Sequence, residues 1–296
     1  MTTLRARGAA VPPWTLAVAA MLAVQLGSAL SVGVIAAIGA GGTAWLRLGI
    51  GGVIFLLVAR PPLRSIARRD VLPLLGLGVT TGLQTVAFLG AIERVPLGTV
   101  VAIEFLGPLT VAALRSRTRQ ALIWPLTALA GVVLLTEPWV GAVDAGGIAL
   151  AVLAAVGWGV YIVLTQQVGD RFSGVRALSL TVPVAALTAA VVGIPQAVGH
   201  ITVAVLIASV GLALLLPVLP YTFEMLALRR MTPAAFGTLM ALEPAIGVAL
   251  GMLVLHQTPT PVQIVGIALV VIAGAAAQRG GRREGGLEQL QPEAGG

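Results

Sequence analysis

Apolar positions in this chain come in long runs, with none of the every-second-residue alternation of a half-buried strand. The runs cover 14–38, 43–59, 71–91, 98–114, 121–136, 146–165, 177–197, 203–227, 234–254 and 261–277. Crossing the hydrocarbon core of a bilayer takes a helix of about 20 mainly apolar residues, with a range of about 17–25. Short polar connections separate the runs, among them RPPLRSIARRD (60–70), ERVP (93–96), RSRTRQ (115–120) and QQVGDRFSGVR (166–176). The pattern predicts an all-α polytopic membrane protein of ten transmembrane helices.

Composition supports that class. Of 296 residues, 58% are hydrophobic and 10% charged, and the mean hydropathy is +1.01. A soluble domain carries about 25% charged residues. With no cysteine, disulfides, thiolate metal sites and cysteine nucleophiles are all excluded. His200 and His256 are far apart in connections, so no histidine metal site is expected, and no cofactor. The net charge of +7 is spread over short loops without interleaved aromatics, which argues against nucleic acid as a partner. There is no P-loop to draw on ATP.

The first run exceeds the 7–15 apolar residues of a signal peptide core and is expected to stay as a span, behind a cytoplasmic N-terminus at 1–13. The Gly-, Glu- and Arg-rich segment 278–296 is expected to be a disordered cytoplasmic tail. Orientation follows from the arginines, because positively charged loops stay in the cytoplasm. With both termini inside, Arg5, Arg7, Arg60, Arg64, Arg68, Arg69, Arg115, Arg117, Arg119, Arg171, Arg176, Arg229, Arg230, Arg279, Arg282 and Arg283 all fall inside. Arg94 alone falls outside, and Arg47 lies within a span. A miscounted span would scramble this alternation.

The chain also repeats itself. AIERVPLGTVVAIEFLGPLTVAAL (91–114) aligns with ALRRMTPAAFGTLMALEPAIGVAL (227–250), matching Arg94 to Arg230, Leu106 to Leu242 and Pro108 to Pro244. At a similar offset, LAVAAMLAVQLGSA (16–29) meets IALAVLAAVGWGVY (148–161). Two repeats are expected, at 14–138 and 144–277. Each holds five spans, an odd number, so the second must be inverted relative to the first. Inverted repeats with a site near the midplane are a recurring plan in secondary transporters.

TAWLRL (43–48), IEFLGPL (103–109), LPYTFEMLAL (219–228) and FGTLMALEPA (236–245) resemble motifs of the EamA-type drug/metabolite transporters. Within that superfamily the chain looks most like the bacterial threonine and homoserine exporter branch, and the likeness runs over about 14–277. It implies a ten-helix inner-membrane exporter of small amino acids with a cavity between the halves. It transfers no residue roles, so the site is read from the residues themselves.

Four ionisable residues lie within spans: Arg47, Glu104, Glu224 and Glu243. A charge at a membrane helix centre costs about 2.5–3.5 kcal/mol on insertion scales. At about 1.5 Å per residue, Arg47 and Glu104 lie roughly 6 and 9 Å below the outer boundary, so an ion pair between them is one reading; snorkelling of Arg47 to the surface is the other. Glu243 lies roughly 13 Å, and Glu224 about 5 Å, from the inner boundary. Glu224 could equally reach the interface or pair with Arg229 or Arg230.

Prolines accompany the acids. A proline removes the hydrogen bond to the carbonyl four residues earlier, so Pro108 frees the carbonyl of Glu104 and Pro244 that of Met240. Pro217 and Pro220 repeat the device beside Tyr221. A freed carbonyl at membrane depth is tolerated where protein or cavity water meets it; a plain structural kink is the competing explanation. Gln25, Gln84, Trp158 and Tyr161 are further candidates for a cavity wall, or equally for helix packing.

For an amino acid, Glu104 or Glu243 would meet the ammonium, and Arg47 or backbone amides the carboxylate. Desolvation favours the neutral form of a carboxylic acid, so a buried glutamate could also exchange a proton and couple its inward flow to export by alternating access. Export of another small metabolite or drug, such as a nucleobase or an aromatic amino acid, and a membrane role without transport remain the alternatives. Neither a nucleophile with its base nor paired histidines point to an enzyme.

Overall fold

The computed structural model describes residues 12–61, 66–115, 122–140, 143–169, 175–228, 230–231 and 233–280. Expectations for Arg5, Arg7, Arg64, Arg117, Arg119, Arg171, Arg229, Arg282 and Arg283, and for the tail beyond 280, lie outside these residues. The described residues form helices and short connections, with no strand. That is what lipid demands of an open chain, since each helix satisfies its own backbone polar groups.

In chain order the elements are α1 (Pro13–Ala59), α2 (Arg68–Ile92), α3 (Leu97–Arg115), α4 (Ile123–Thr136), α5 (Ala145–Gly169) and α6 (Val175–Ala197). They continue with α7 (Val203–Ala213), α8 (Leu219–Leu228), α9 (Pro233–Met240), α10 (Glu243–Leu255) and α11 (Pro261–Gly280). Among the described residues, seven helical stretches are long and apolar enough to cross a membrane: Pro13–Ala59, Arg69–Ile92, Leu97–Arg115, Ala145–Thr165, Val175–Ala197, Val203–Leu228 and Ala235–Leu255. Ile123–Thr136 and Pro261–Ala277 are shorter apolar helices.

Helix α1 covers the first two apolar runs and changes direction at Gly39, where φ is 75° and ψ 165°. An L side chain would be strained in that conformation. The chain doubles back there: Gly27 and Gly51, placed symmetrically about Gly39, both pack against Leu214–Val218. The bend is held from α6, where Gln196 Oε1 accepts from the N–H of Gly41 at 2.8 Å.

Two other interruptions face the interior. Between α7 and α8 the segment Leu214–Val218 is a π-type turn with Leu216 at φ −158° and ψ 110°, just before Pro217. The ninth apolar run breaks at Ala241–Leu242, and α10 restarts at Glu243 with Pro244 in its first turn. A proline there loses nothing, because the first helical N–H groups have no intrahelical partner. Pro108 behaves differently from expectation: α3 runs through it unbroken from Leu97 to Arg115. The hydrogen bond it cannot donate is lost without ending the helix. Pro220 likewise causes no break, sitting in the first turn of α8.

The helices approach closely where glycines meet backbone. A Cβ on Gly131 would come within 2.5 Å of the carbonyl oxygen of Gly266, joining α4 to α11. Between apolar helices in lipid, such contact replaces the hydrophobic force that water would supply. One end of the bundle is tied by polar contacts: Arg94 with Asp144 at 4.0 Å, the Leu97 N–H to Gln257 Oε1 at 3.2 Å, and the Thr260 hydroxyl to Glu137 at 2.9 Å.

Candidate functional site

The interior holds a cavity of about 220 Å³ walled by α1, α2, α3, α5, the Leu214–Val218 turn, α8, α9 and α10. It continues into a second space of about 250 Å³, with Arg47, Gln84, Trp158 and Glu224 shared between the two walls. The first chamber carries all four charged candidates, Arg47, Glu104, Glu224 and Glu243, together with Gln25, Gln84 and Trp158. The second adds Tyr161, Tyr221, Pro217 and Pro220. Pro108 and Pro244 line neither chamber.

Glutamates scattered over 139 positions of sequence thus face one space because of the helix geometry around them. Glu104 accepts a hydrogen bond from Gln84 Nε2 at 3.0 Å, which ties α2 to α3 at the cavity wall. Glu243, 5% exposed, opens α10 at the break, where the positive end of a helix favours an acidic group. Glu224 turns inward from α8, away from the interface.

Arg47 is 3% exposed and does not snorkel to the surface. No direct ion pair joins it to Glu104 among the described residues; both face the cavity, and the Nε and Nη1 of Arg47 have no hydrogen-bond partner. Gln25, 2% exposed, leaves its amide oxygen equally unpaired. Buried polar groups are almost always hydrogen-bonded, so this wall has bonding capacity the protein does not use.

Sequence reasoning missed Ser28, Thr81, Thr85 and Thr181 in the walls, along with Phe88, Leu216 and Met240. Apolar or hydroxylated positions on an apolar helix give no signal of which face they take. Ser28, Thr81 and Thr181 donate to their own helices, to Val24, Leu77 and Ala177. Those three hydroxyl donors are thus used within their own helices. A larger groove of about 500 Å³ between α3 and α5 is apolar apart from Thr110 and holds no charged group.

A bundle of apolar helices that keeps a guanidinium and three carboxylates around an interior cavity has the make-up of a membrane transport protein. The comparisons give the family. The EamA-like transporter family matches residues 145–276. The threonine/homoserine exporter RhtA of Escherichia coli (strain K12) is 33% identical over 287 residues, 94% of this chain and 95% of that protein. The threonine/homoserine exporter RhtA of Salmonella typhimurium (strain LT2) is 34% identical over 280 residues, 92% of each chain. A solved crystal structure, 21% identical, superposes over 90% of this chain and 98% of its own with a TM-score of 0.61, a likeness of fold. The chain belongs to the EamA-like transporter family and is a multi-pass membrane transporter.

Proposed function

We propose that this protein is a bacterial inner-membrane exporter of small amino acids of the threonine and homoserine kind, working by alternating access and exchanging protons for substrate. The observation that carries this reading is the charge complement of the 220 Å³ chamber: one guanidinium, outside any direct ion pair among the described residues, and three carboxylates. Arg47 offers a charged donor to a substrate carboxylate, and charge-assisted hydrogen bonds are the stronger kind. Glu104 and Glu243 offer acceptors to the ammonium. The carboxylates outnumber the arginine, so one can take part in proton exchange while another holds the amine. The substrate named for the relatives bears both groups.

The architecture we propose is ten spans in two inverted five-helix repeats, at 14–138 and 144–277, with both termini in the cytoplasm. Counting α1 as two spans and joining α7 to α8 and α9 to α10 gives ten. The helix pairings support the repeat: moving each span five places on turns the pairing of α2 with α5 into that of α8 with α1, and the pairing of α3 with α5 into that of α10 with α1. The gathering of Arg94, Asp144, Glu137, Thr260 and Gln257 at one end agrees with an outer face there.

The test is efflux of labelled threonine and homoserine from an exporter-deficient bacterium carrying this protein. Glu104→Gln and Glu243→Gln are each expected to lower efflux at least tenfold. Undiminished, still pH-driven efflux in both variants removes the carboxylates from the mechanism. Efflux of a nucleobase or an aromatic amino acid, with none of threonine or homoserine, replaces the substrate class.

A further inference from the structure

The three carboxylates of the interior differ in what surrounds them. Glu104 is tied to Gln84 Nε2 at 3.0 Å. Glu243 stands at the first position of α10, next to backbone N–H groups that have no intrahelical partner. Glu224 has neither: it lies in the second half of α8, away from any helix start, and no hydrogen bond joins its carboxylate to another described residue. Its place in space differs too. Glu104 and Glu243 line the first chamber, whereas Glu224 lines both. The second chamber reaches Leu178 and Thr181 in the first two turns of α6 and Tyr161 in the later part of α5. That is the end of the bundle where α5 gives way to α6, the cytoplasmic end in the orientation proposed above.

We infer that Glu224 carries the exchanged proton, while Glu104 and Glu243 hold the substrate. The inference rests on the proton-exchange reading above and assigns the proton within it. A carrier gains and loses a proton in each cycle. Open to the outer face, its carboxylate takes up one proton and becomes a carboxylic acid; open to the cytoplasm, it gives that proton to water. Fixed donors would compete for the same oxygens, and among the described residues Glu224 has none. The titratable and charged groups that share its walls are Arg47 of α1, Glu104 of α3, Tyr161 of α5, Tyr221 of α8 itself and Glu243 of α10. The described residues that α2, α6, α9 and the Leu214–Val218 turn bring to the two chambers are not ionisable. Acids within membrane spans mark proton relays as well as substrate paths, and here two carboxylates besides Glu224 stay available for an ammonium.

The experiment uses inverted membrane vesicles carrying the full chain and reads two rates of labelled threonine uptake. One is driven by an acid interior. The other is exchange against unlabelled threonine preloaded inside at equal pH, which moves substrate both ways and no net proton. Glu224→Gln keeps the size of the side chain but cannot release a proton, and is expected to lower the ratio of driven uptake to exchange about tenfold or more. Glu104→Gln and Glu243→Gln are expected to lower both rates together and leave the ratio near wild type. Both rates come from one preparation, so the ratio is independent of how much protein inserts. Should Glu224→Gln leave no measurable exchange, Glu224→Asp, which keeps the acid and withdraws it by one methylene, is expected to lower the ratio severalfold. A ratio that substitution at Glu224 does not move, or that falls as far in Glu104→Gln or Glu243→Gln, overturns the inference. Wild-type protein that exchanges threonine but ignores the pH gradient refutes the proton-exchange reading, and wild-type protein that moves no threonine refutes the substrate class; both are separate outcomes.

Discussion

Gln84 Nε2 donates to Glu104 Oε1 at 3.0 Å, and this contact between α2 and α3 is what fixes a carboxylate at the wall of the chamber. A hydrogen bond to a charged group contributes about 1.5–3 kcal/mol. Gln84→Leu is therefore expected to lower transport about tenfold or more while membrane levels of the protein stay near wild type. Gln84→Glu is expected to be worse, because it sets a second acid against the first. Initial efflux rates normalised to immunoblot check both.

Arg47 carries two partnerless nitrogens in the same chamber. Arg47→Gln is expected to raise the half-saturating substrate concentration about tenfold or more, since a charge-assisted bond is roughly twice as strong as a neutral one. Arg47→Lys keeps the charge but loses the planar fork, and is expected to fall between the two. Uptake by inverted vesicles over a substrate series separates them.

The contact of Gly131 with Gly266 leaves no room for a side chain, whereas Gly33 has nothing within 4 Å of the place a Cβ would take. Gly131→Val is expected to destabilise the protein by about 1–3 kcal/mol or more through overpacking. Gly33→Ala is expected to be neutral or mildly stabilising, because glycine costs a helix interior roughly 0.5–1 kcal/mol. Thermal melts in detergent distinguish the pair.

Gly39 sits at φ 75° and ψ 165°, and a Cβ there would meet Gln196 Oε1 at 2.5 Å. Gly39→Ala is expected to cost about 1–3 kcal/mol from the backbone alone. Because Gln196 caps the bend, Gln196→Leu should add less to the damage in Gly39→Ala than it causes in the wild type. A double-mutant cycle on melting temperature reads that coupling.

The chain has no cysteine, so single cysteines report sidedness directly. In the inverted-repeat arrangement Arg94→Cys is labelled by a membrane-impermeant maleimide from outside intact cells. Arg230→Cys, its aligned partner, is labelled only after the membrane is opened. Labelling of both from the same side contradicts the inversion.

Much of this was legible in the sequence because lipid imposes a crude rule. Glu104, Glu224 and Glu243 announce themselves by cost, and all three reach the chamber. The joining of the first two apolar runs was harder to read: a turn at one glycine replaces a loop, and several glycines at 39–42 fit it equally. Pro108 and Pro244 look alike in sequence yet only the second interrupts its helix, since the outcome depends on neighbours rather than on the ring. An Arg47–Glu104 pair, one of two readings beside snorkelling of Arg47, rests on depth along two helices, and depth says nothing of azimuth or reach; among the described residues both groups face a shared space without a direct ion pair. Ser28, Thr85 and Met240 were invisible for the same reason.

Apart from the turn at Gly39, the backbone discontinuities among the described helices, at Leu214–Val218 and at Ala241–Leu242, belong to the C-terminal part of the chain, while α2 and α3 run unbroken. Compliance is therefore distributed unequally. Unbroken helices on one side of the chamber face jointed ones on the other, and under the alternating access proposed above the openings toward the two membrane faces are expected to follow different paths.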